Sequence, residues 1–230
     1  QWDALHGQAA LPHHVFQSHN FLRHWMQQYA QDGCEIVIIA GTIKGQVSMV
    51  WPLLLRRSCG IKILTFMGSP VAQFFDLLVA DGPHRDELIS GGWRALQEIG
   101  ADVFVARNVR DDAWIRAGVG PKLVKAFGRK TAPFAILDNR VQGAEPGTAY
   151  SARMRSNYRR RLRRLGESGE ISFDTLHPGD KAAELAAIAV SLKHVALLER
   201  LIWSPTLADP RFTGFFDAIA RDRESAIRIS

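Results

Sequence analysis

Two patterns of apolar and polar residues alternate along the chain and together predict an α/β protein. Short apolar runs bounded by turn residues predict β-strands, and a 3.6-residue apolar spacing predicts helices. The predicted strands are residues 35–40, 46–55, 61–67, 75–80, 102–106, 134–137, 171–176 and 225–230. The predicted helices are residues 12–31, 84–99, 111–117, 121–127, 149–166, 180–201 and a segment that follows Pro210.

The order of these elements predicts a twisted mixed sheet covered by helices, because strand and helix runs alternate along the chain. Residues 138–148 are polar and rich in Gly and Pro, which indicates a linker between residues 1–148 and residues 149–230. The run at 225–230 has no downstream strand with which to pair. We therefore expect the chain to be truncated within a second α/β unit. The absence of a starting Met suggests the same of the N-terminus.

Composition and charge single out one segment of the chain, the predicted helix 149–166. Apolar residues make up 47% of the chain, enough for a sizeable core, and the net charge is +6. Seven arginines without any acid fall between Arg153 and Arg164, and without them the net charge would be −1. The basic character therefore belongs to the predicted helix 149–166, where an anionic partner is to be sought.

The arginine-rich helix has a polar and an apolar side. Its apolar residues share one helical face and are predicted to pack on the body of the protein. They are Met154, Tyr158, Leu162 and Leu165. Arg155, Arg159 and Arg163 are spaced by four and form one row beside that face, suited to bidentate contacts with phosphate or carboxylate. The alternative is a solvated charged surface with no ligand.

Other features exclude several classes of function. No run of about 20 apolar residues predicts a membrane span, and no secretory signal is present. Cys34 and Cys59 match no metal or redox spacing, which favours reduced thiols in a cytoplasmic protein. On a single helix 12–31, four histidines would point in different directions, so we expect them to lie on the surface and predict no metal site. They are His13, His14, His19 and His24.

Two residues are candidates for a catalytic base. Asp76 lies at the mouth of a predicted strand, where its carboxylate could deprotonate an acceptor amine or hydroxyl, or could bond the nearby backbone. His194 lies on the long predicted helix 180–201 and could play the same part, or could simply be a partly exposed helix residue. Trp203 and the phenylalanines after Pro210 favour core packing over an acyl pocket. No Ser-His-Asp order and no Cys-His signature occurs.

Four segments, in this order, resemble the CelD-like acetyltransferase family, a relative of the FemAB aminoacyl transferases. They are Phe16–Leu22, Val50–Arg57, Leu64–Gly68 with the following Asp76-Leu-Leu, and Ser151–Leu165. The last segment resembles the arginine-rich helix of that family most closely. The resemblance implies a GNAT-like mixed twisted sheet with flanking helices at 1–148 and the start of a second GNAT-like unit at 149–230. It covers nearly the whole chain.

The resemblance also implies a function: an acyl-CoA-dependent N- or O-acyltransferase without a metal, whose acceptor is a small molecule or a glycan. Some members of the family are linked with cellulose or exopolysaccharide production. The acceptor would attack the thioester directly, assisted by a base and by donors to the thioester oxygen. The strings Arg116–Gly120 and Arg140–Ala144 lack the spacing of a GNAT phosphate loop, so we expect the acyl-CoA site to be absent or unrecognisable here.

Two other functions stay open. A FemAB-like transferase would use aminoacyl-tRNA as donor, and the arginine helix would then grip the RNA backbone. A non-catalytic module that binds anions or nucleic acid is the third hypothesis. It is weakened because Tyr158 is the one aromatic residue among the arginines.

Overall fold

The computed structural model describes residues 1–30, 33–118, 128–132, 151–172 and 174–225. The chain forms two compact units. The first contains residues 1–124 and 176–229, and the second is formed mainly by residues 125–175. The domain limits expected from the sequence, 1–148 and 149–230, remain predictions.

The first unit is built on a five-stranded mixed sheet, which confirms the predicted α/β class. Its strands are β1 (Cys34–Ile43), β2 (Gln46–Ser58), β3 (Ile61–Phe66), β4 (Leu78–Val79) and β5 (Val103–Val105). The order across the sheet is β1-β2-β3-β5, and β4 pairs with β2. All pairs are antiparallel except β3 with β5, which is parallel.

The β1–β2 hairpin is longer and tighter than expected. The sequence predicts a connection over residues 41–45, but the strands continue to a two-residue turn at Lys44 and Gly45. Both turn residues have positive φ, 50° and 78°, as the type I′ hairpin turn requires. The irregularity that Gly41 introduces is a bulge between Gly41 and Thr42 within β1, not the end of the strand.

Helix α3 (Arg85–Glu98) lies in the crossover that joins β3 to the parallel strand β5. It confirms the helix predicted at 84–99, including its end before Gly100, whose φ is +69°. Gly92 lets this helix approach β2 closely, because a Cβ there would lie 2.9 Å from the Cε of Met49. The buried ring of Trp51 packs on Trp93 of α3 at a centroid distance of 5.1 Å.

The predicted helix 12–31 is divided in two. Residues Pro12–Gln17 form a 3-10 helix, and α2 spans His19–Tyr29. Ser18 lies between them in an extended conformation and caps α2 by accepting a hydrogen bond from the N–H of Phe21 at 3.3 Å. A further helix, α1 (Trp2–Ala9), precedes them and is not predicted by the sequence pattern.

The later helices are α4 (Ala152–Gly166), α5 (Asp180–Leu198), α6 (Pro205–Ala208) and α7 (Pro210–Arg221). Helix α4 belongs to the second unit, whereas α5, α6 and α7 belong to the first. The fully buried Phe215 of α7 packs on Phe21 of α2, with ring centroids 5.0 Å apart. Helix α7 thereby joins the core of the sheet unit.

Some predicted elements have a different secondary structure, and others lie outside the residues that the structure describes. The predicted helix at 111–117 is a 3-10 helix, Trp114–Gly118. No strand occupies the described part of 171–176, where Leu176 forms only an isolated bridge. The predicted elements at 121–127 and 134–137, the linker at 138–148 and all of the terminal strand except Ser225 lie outside the described residues.

Candidate functional site

Helix α4 carries all seven clustered arginines and forms as predicted. Its first turn is capped by Ser151, whose hydroxyl accepts a hydrogen bond from the N–H of Met154 at 3.3 Å. Every residue of α4 is exposed. The arginine side chains of this helix can therefore reach a ligand in solution.

The apolar stripe of α4 is exposed as well. Met154 is 57% exposed, Tyr158 is 62% exposed and Leu162 is 36% exposed. At 100° per residue, Arg155, Arg159 and Arg163 flank one side of this stripe, and Arg153, Arg160 and Arg164 flank the other. The helix thus presents an apolar strip between two rows of positive charge.

Asp76, the first candidate base, is buried and already surrounded by donors. Its Oδ1 accepts the N–H groups of Leu77 and Ile115 at 2.8 and 3.0 Å. Its Oδ2 accepts the N–H of Trp114 at 2.8 Å and lies 3.3 Å from Nε2 of His14. Four donors occupy the lone-pair positions of the two oxygens. This arrangement favours a structural role, in which the carboxylate fastens the start of the Trp114–Gly118 helix.

His14 is fully buried, so the prediction that this histidine lies on the surface is wrong. Its Nδ1 accepts the N–H of Leu11 at 3.1 Å, which leaves the ring proton of the neutral imidazole on Nε2, facing Asp76. The single helix assumed for residues 12–31 does not exist, because Ser18 interrupts it. His14 therefore takes a direction that helical spacing does not give.

His13, His14 and Asp76 resemble a metal site at first sight, since one ligand atom of each lies within 4.8 Å of the others. Their hydrogen bonds do not fit one. A metal needs the lone pair of a ring nitrogen, but Nε2 of His14 carries its proton toward Asp76, whose oxygens are occupied. Of these three residues, only His13 has an unpartnered buried nitrogen, Nε2. Burial and the neighbouring His14 and Arg110 lower the pKa of His13.

A second polar cluster joins α2 to the end of α7. Oδ2 of Asp222 lies 2.8 Å from Nδ2 of Asn20, 2.6 Å from Nη2 of Arg23 and 2.7 Å from Nε2 of His24. Burial acts to raise the pKa of Asp222, but hydrogen bonds from His24 and Asn20 outweigh it and lower the pKa to about 2. His24 is buried too, which corrects the surface position predicted for it.

The Asp222 cluster is a functional-site candidate that the sequence pattern does not reveal. An Asp–His pair can hold an imidazole for proton transfer. Here, however, the other ring nitrogen, Nδ1 of His24, is buried and has no hydrogen-bond partner. One signal was present in the sequence: His24 lies three residues after Phe21, on the apolar side of the helix. That position indicates burial, but it does not identify the acid.

His194, the second candidate base, lies partly buried on α5. Its Nε2 is buried without a hydrogen-bond partner, and its ring packs near Trp203 at a centroid distance of 6.3 Å. The hydrogen bonds of Asp76 go to His14 and to backbone groups, so the structure does not pair the two candidate bases. Their catalytic roles stay predictions.

An open groove of about 470 Å³ lies between the edge strand β1 and helix α3. Gly41 and Gly91 form part of its walls, and His84, Glu87 and Arg94 supply its polar groups. Glu87 lies 3.3 Å from Nδ1 of His84. These groups can bind a small polar ligand, but they include neither candidate base.

No protein-family model, curated protein or solved structure matches this chain. Within the described part of the chain, no helix is both long and apolar enough to cross a bilayer.

Proposed function

We propose that this chain belongs to an acyl-CoA-dependent N- or O-acyltransferase with a small-molecule or glycan acceptor, acting in the synthesis of a polysaccharide such as cellulose. The ordered motifs that resemble the CelD-like family support the GNAT-like assignment. The mixed sheet with flanking helices is compatible with it. The observation that carries the binding role is helix α4, in which seven arginines without an intervening acid are all exposed.

Guanidinium groups suit the phosphates of an acyl-CoA. They remain charged at any working pH and form bidentate, charge-assisted hydrogen bonds. In this proposal Arg155, Arg159 and Arg163 contact the ligand phosphates as one row. The chemical step is attack of the acceptor amine or hydroxyl on the thioester carbon, with release of the CoA thiolate and transfer of the acceptor proton to a base.

The test is calorimetric titration of the protein with acetyl-CoA. Changing Arg155, Arg159 and Arg163 to alanine should weaken binding at least about tenfold, and less at high salt. The matched control changes Arg153, Arg160 and Arg164, which removes the same charge from the other flank of the stripe. Equal losses in both variants would indicate diffuse attraction and not a binding row. Full affinity in the first variant would refute the role proposed for it.

A second candidate is a FemAB-like transferase that takes aminoacyl-tRNA as donor. The observation that favours it is Tyr158, which is 62% exposed among the arginines and can stack on a base. Titration with tRNA in place of acetyl-CoA separates the two proposals. Binding of tRNA without binding of acetyl-CoA would support the second candidate, and binding of neither would contradict both.

A further inference from the structure

Helix α4 combines two exposed features that phosphate binding alone does not require together. An arginine row is sufficient for a soluble phosphate ligand. The strip formed by Met154, Tyr158, Leu162 and Leu165 is apolar, yet Met154 and Leu165 are 57% and 56% exposed. A surface that complements this helix must offer both negative charge and an apolar layer.

The arrangement of the charges further narrows the kind of surface that can complement this helix. Helical geometry places the apolar strip within an arc of about 80°, with an arginine row on each side. Arginines at i, i+4 repel one another along both rows, Arg159/Arg163 on one side of the strip and Arg160/Arg164 on the other. The first acids after the helix are Glu167 and Glu170, beyond its last residue. An opposing layer of negative charge on both sides of the strip would relieve this repulsion.

We infer that α4 docks on the surface of an anionic lipid bilayer. Its apolar strip enters the boundary between headgroups and acyl chains, and its arginines lie at the level of the lipid phosphates. With 15 residues the helix is about 22 Å long, so it lies along the surface and does not cross the bilayer. Long arginine side chains suit this position, because their aliphatic stems can follow apolar surface while the charge stays in water.

The proposed acyl-CoA role uses one of the two arginine rows of this same helix, so the lipid test contains no acyl-CoA and its failure is distinct from the failure of that role. An RNA backbone would also attract the arginines, but it offers no continuous apolar layer for Leu162 and Leu165. Lipid binding should therefore depend on both the charge and the leucines of the strip, whereas RNA binding should depend on the charge and on Tyr158 but not on the leucines. The experiment therefore compares variants that lack the apolar side chains with variants that lack the charges.

The experiment measures co-sedimentation of the 230-residue chain with vesicles of equal parts phosphatidylserine and phosphatidylcholine, and with vesicles of phosphatidylcholine only. The chain should bind the anionic vesicles and lose affinity as salt rises. The double change Leu162→Gln and Leu165→Gln keeps every charge and should weaken binding about tenfold or more. Replacing Arg160 and Arg164 by glutamine should weaken it about as much.

A matched control uses another exposed apolar face of the chain. Leu192 and Leu198 of α5 are 64% and 44% exposed, and replacing both by glutamine makes the same chemical change away from α4. This variant should bind as the unchanged chain does, and circular dichroism checks that all variants remain folded. Loss of binding in this control, with retention in the α4 strip variant, would overturn the assignment to α4.

Two further outcomes would also contradict the inference. One is the absence of binding to the anionic vesicles at low salt. The other is a strip variant that binds vesicles unchanged, because attraction would then be purely electrostatic. Titration with tRNA completes the test: binding of tRNA that needs Arg160 and Arg164 but not Leu162, without vesicle binding, would assign the helix to RNA instead.

Discussion

Helices α4 and α7 have the same kind of sequence and opposite surroundings. Both place apolar residues on one face at helical spacing, and both begin at a side-chain cap, Ser151 in α4 and Asp209 in α7. Helix α7 buries Phe215 and Ile219 completely or nearly so, whereas no residue of α4 is buried. An amphipathic pattern thus predicts a helix but does not predict what covers its apolar face.

The two helices differ in what flanks that face. Helix α7 has Arg221 paired with Asp217 and Asp180, and its end is held to α2 through Asp222. Its charges are thus used within the fold. The run from Arg153 to Arg164 in α4 contains seven arginines and no acid, so the sequence concentrates positive charge on this helix. We therefore interpret α7 as a structural helix and α4 as a binding helix.

The largest expected effect concerns Phe215. Its ring is 0% exposed and contacts Phe21 and Phe216, so Phe215→Ala should lower the free energy of unfolding by about 3–5 kcal/mol. Urea denaturation measures this change. Tyr158→Ala on α4 removes an exposed aromatic residue and is the control, with an expected change within about 0.5 kcal/mol. A large loss in the control would mean that the strip of α4 is covered in solution.

The next effect concerns Asp222 and depends on pH. The pKa of this carboxyl is lowered to about 2 in the folded state, below its ordinary value of 3.8. The contribution of this carboxylate to the free energy of unfolding is therefore complete above about pH 4. It is lost as the pH falls from there toward 2. Asp222→Asn should lower stability at pH 7 by about 2 kcal/mol and should remove this part of the acid dependence.

Unfolding curves between neutral and acid pH test the Asp222 prediction. Asp217→Asn serves as the control, because Asp217 is paired with Arg221 on a more exposed surface and should change stability by less than about 1 kcal/mol. An Asp222→Asn variant that is as stable as the unchanged chain at pH 7 would show that this cluster does not hold α7.

A smaller effect is expected at Leu162. The packing predicted for the apolar side of α4 would bury Leu162, and replacing a buried leucine by alanine costs about 2–5 kcal/mol. Because Leu162 is 36% exposed, we now expect a loss below about 1 kcal/mol. Thermal unfolding measures it, with Leu53→Ala in β2, a 0% exposed leucine, as the reference for a buried site. Equal losses at the two sites would contradict the exposed position of α4.

The smallest effect is expected at Tyr29 of α2. Its hydroxyl is buried without a hydrogen-bond partner, and burial raises its pKa to about 12. Removing an unpartnered buried hydroxyl relieves a desolvation cost, so Tyr29→Phe should leave stability unchanged or raise it by up to about 1 kcal/mol. The ring that lies 5.1 Å from the guanidinium of Arg211 is retained. A loss of stability above about 1 kcal/mol would reveal a polar contact of the hydroxyl.

Much of the fold follows from local patterns in the sequence. The three long strands, α3 and α7 are predicted within a few residues, since apolar period and turn chemistry act over neighbouring positions. The division at Ser18 is missed because a capping serine competes with an apolar pattern that continues across it. The arginine row is found for the same local reason, as its members lie four residues apart.

The polar contacts of the core could not be predicted in this way. His14 meets Asp76 across 62 positions, and His24 meets Asp222 across 198. Their residue types are common on surfaces, so spacing predicted exposed histidines, and the sequence left open whether Asp76 acts as a base or bonds nearby backbone. The sequence by itself determined α3, α4, α5 and α7, the main strands and the arginine charge, because these depend on neighbouring residues. Only the tertiary structure decided which histidines and carboxylates are buried together, since a buried polar group is stabilised by whichever partner the folded chain brings within hydrogen-bond distance.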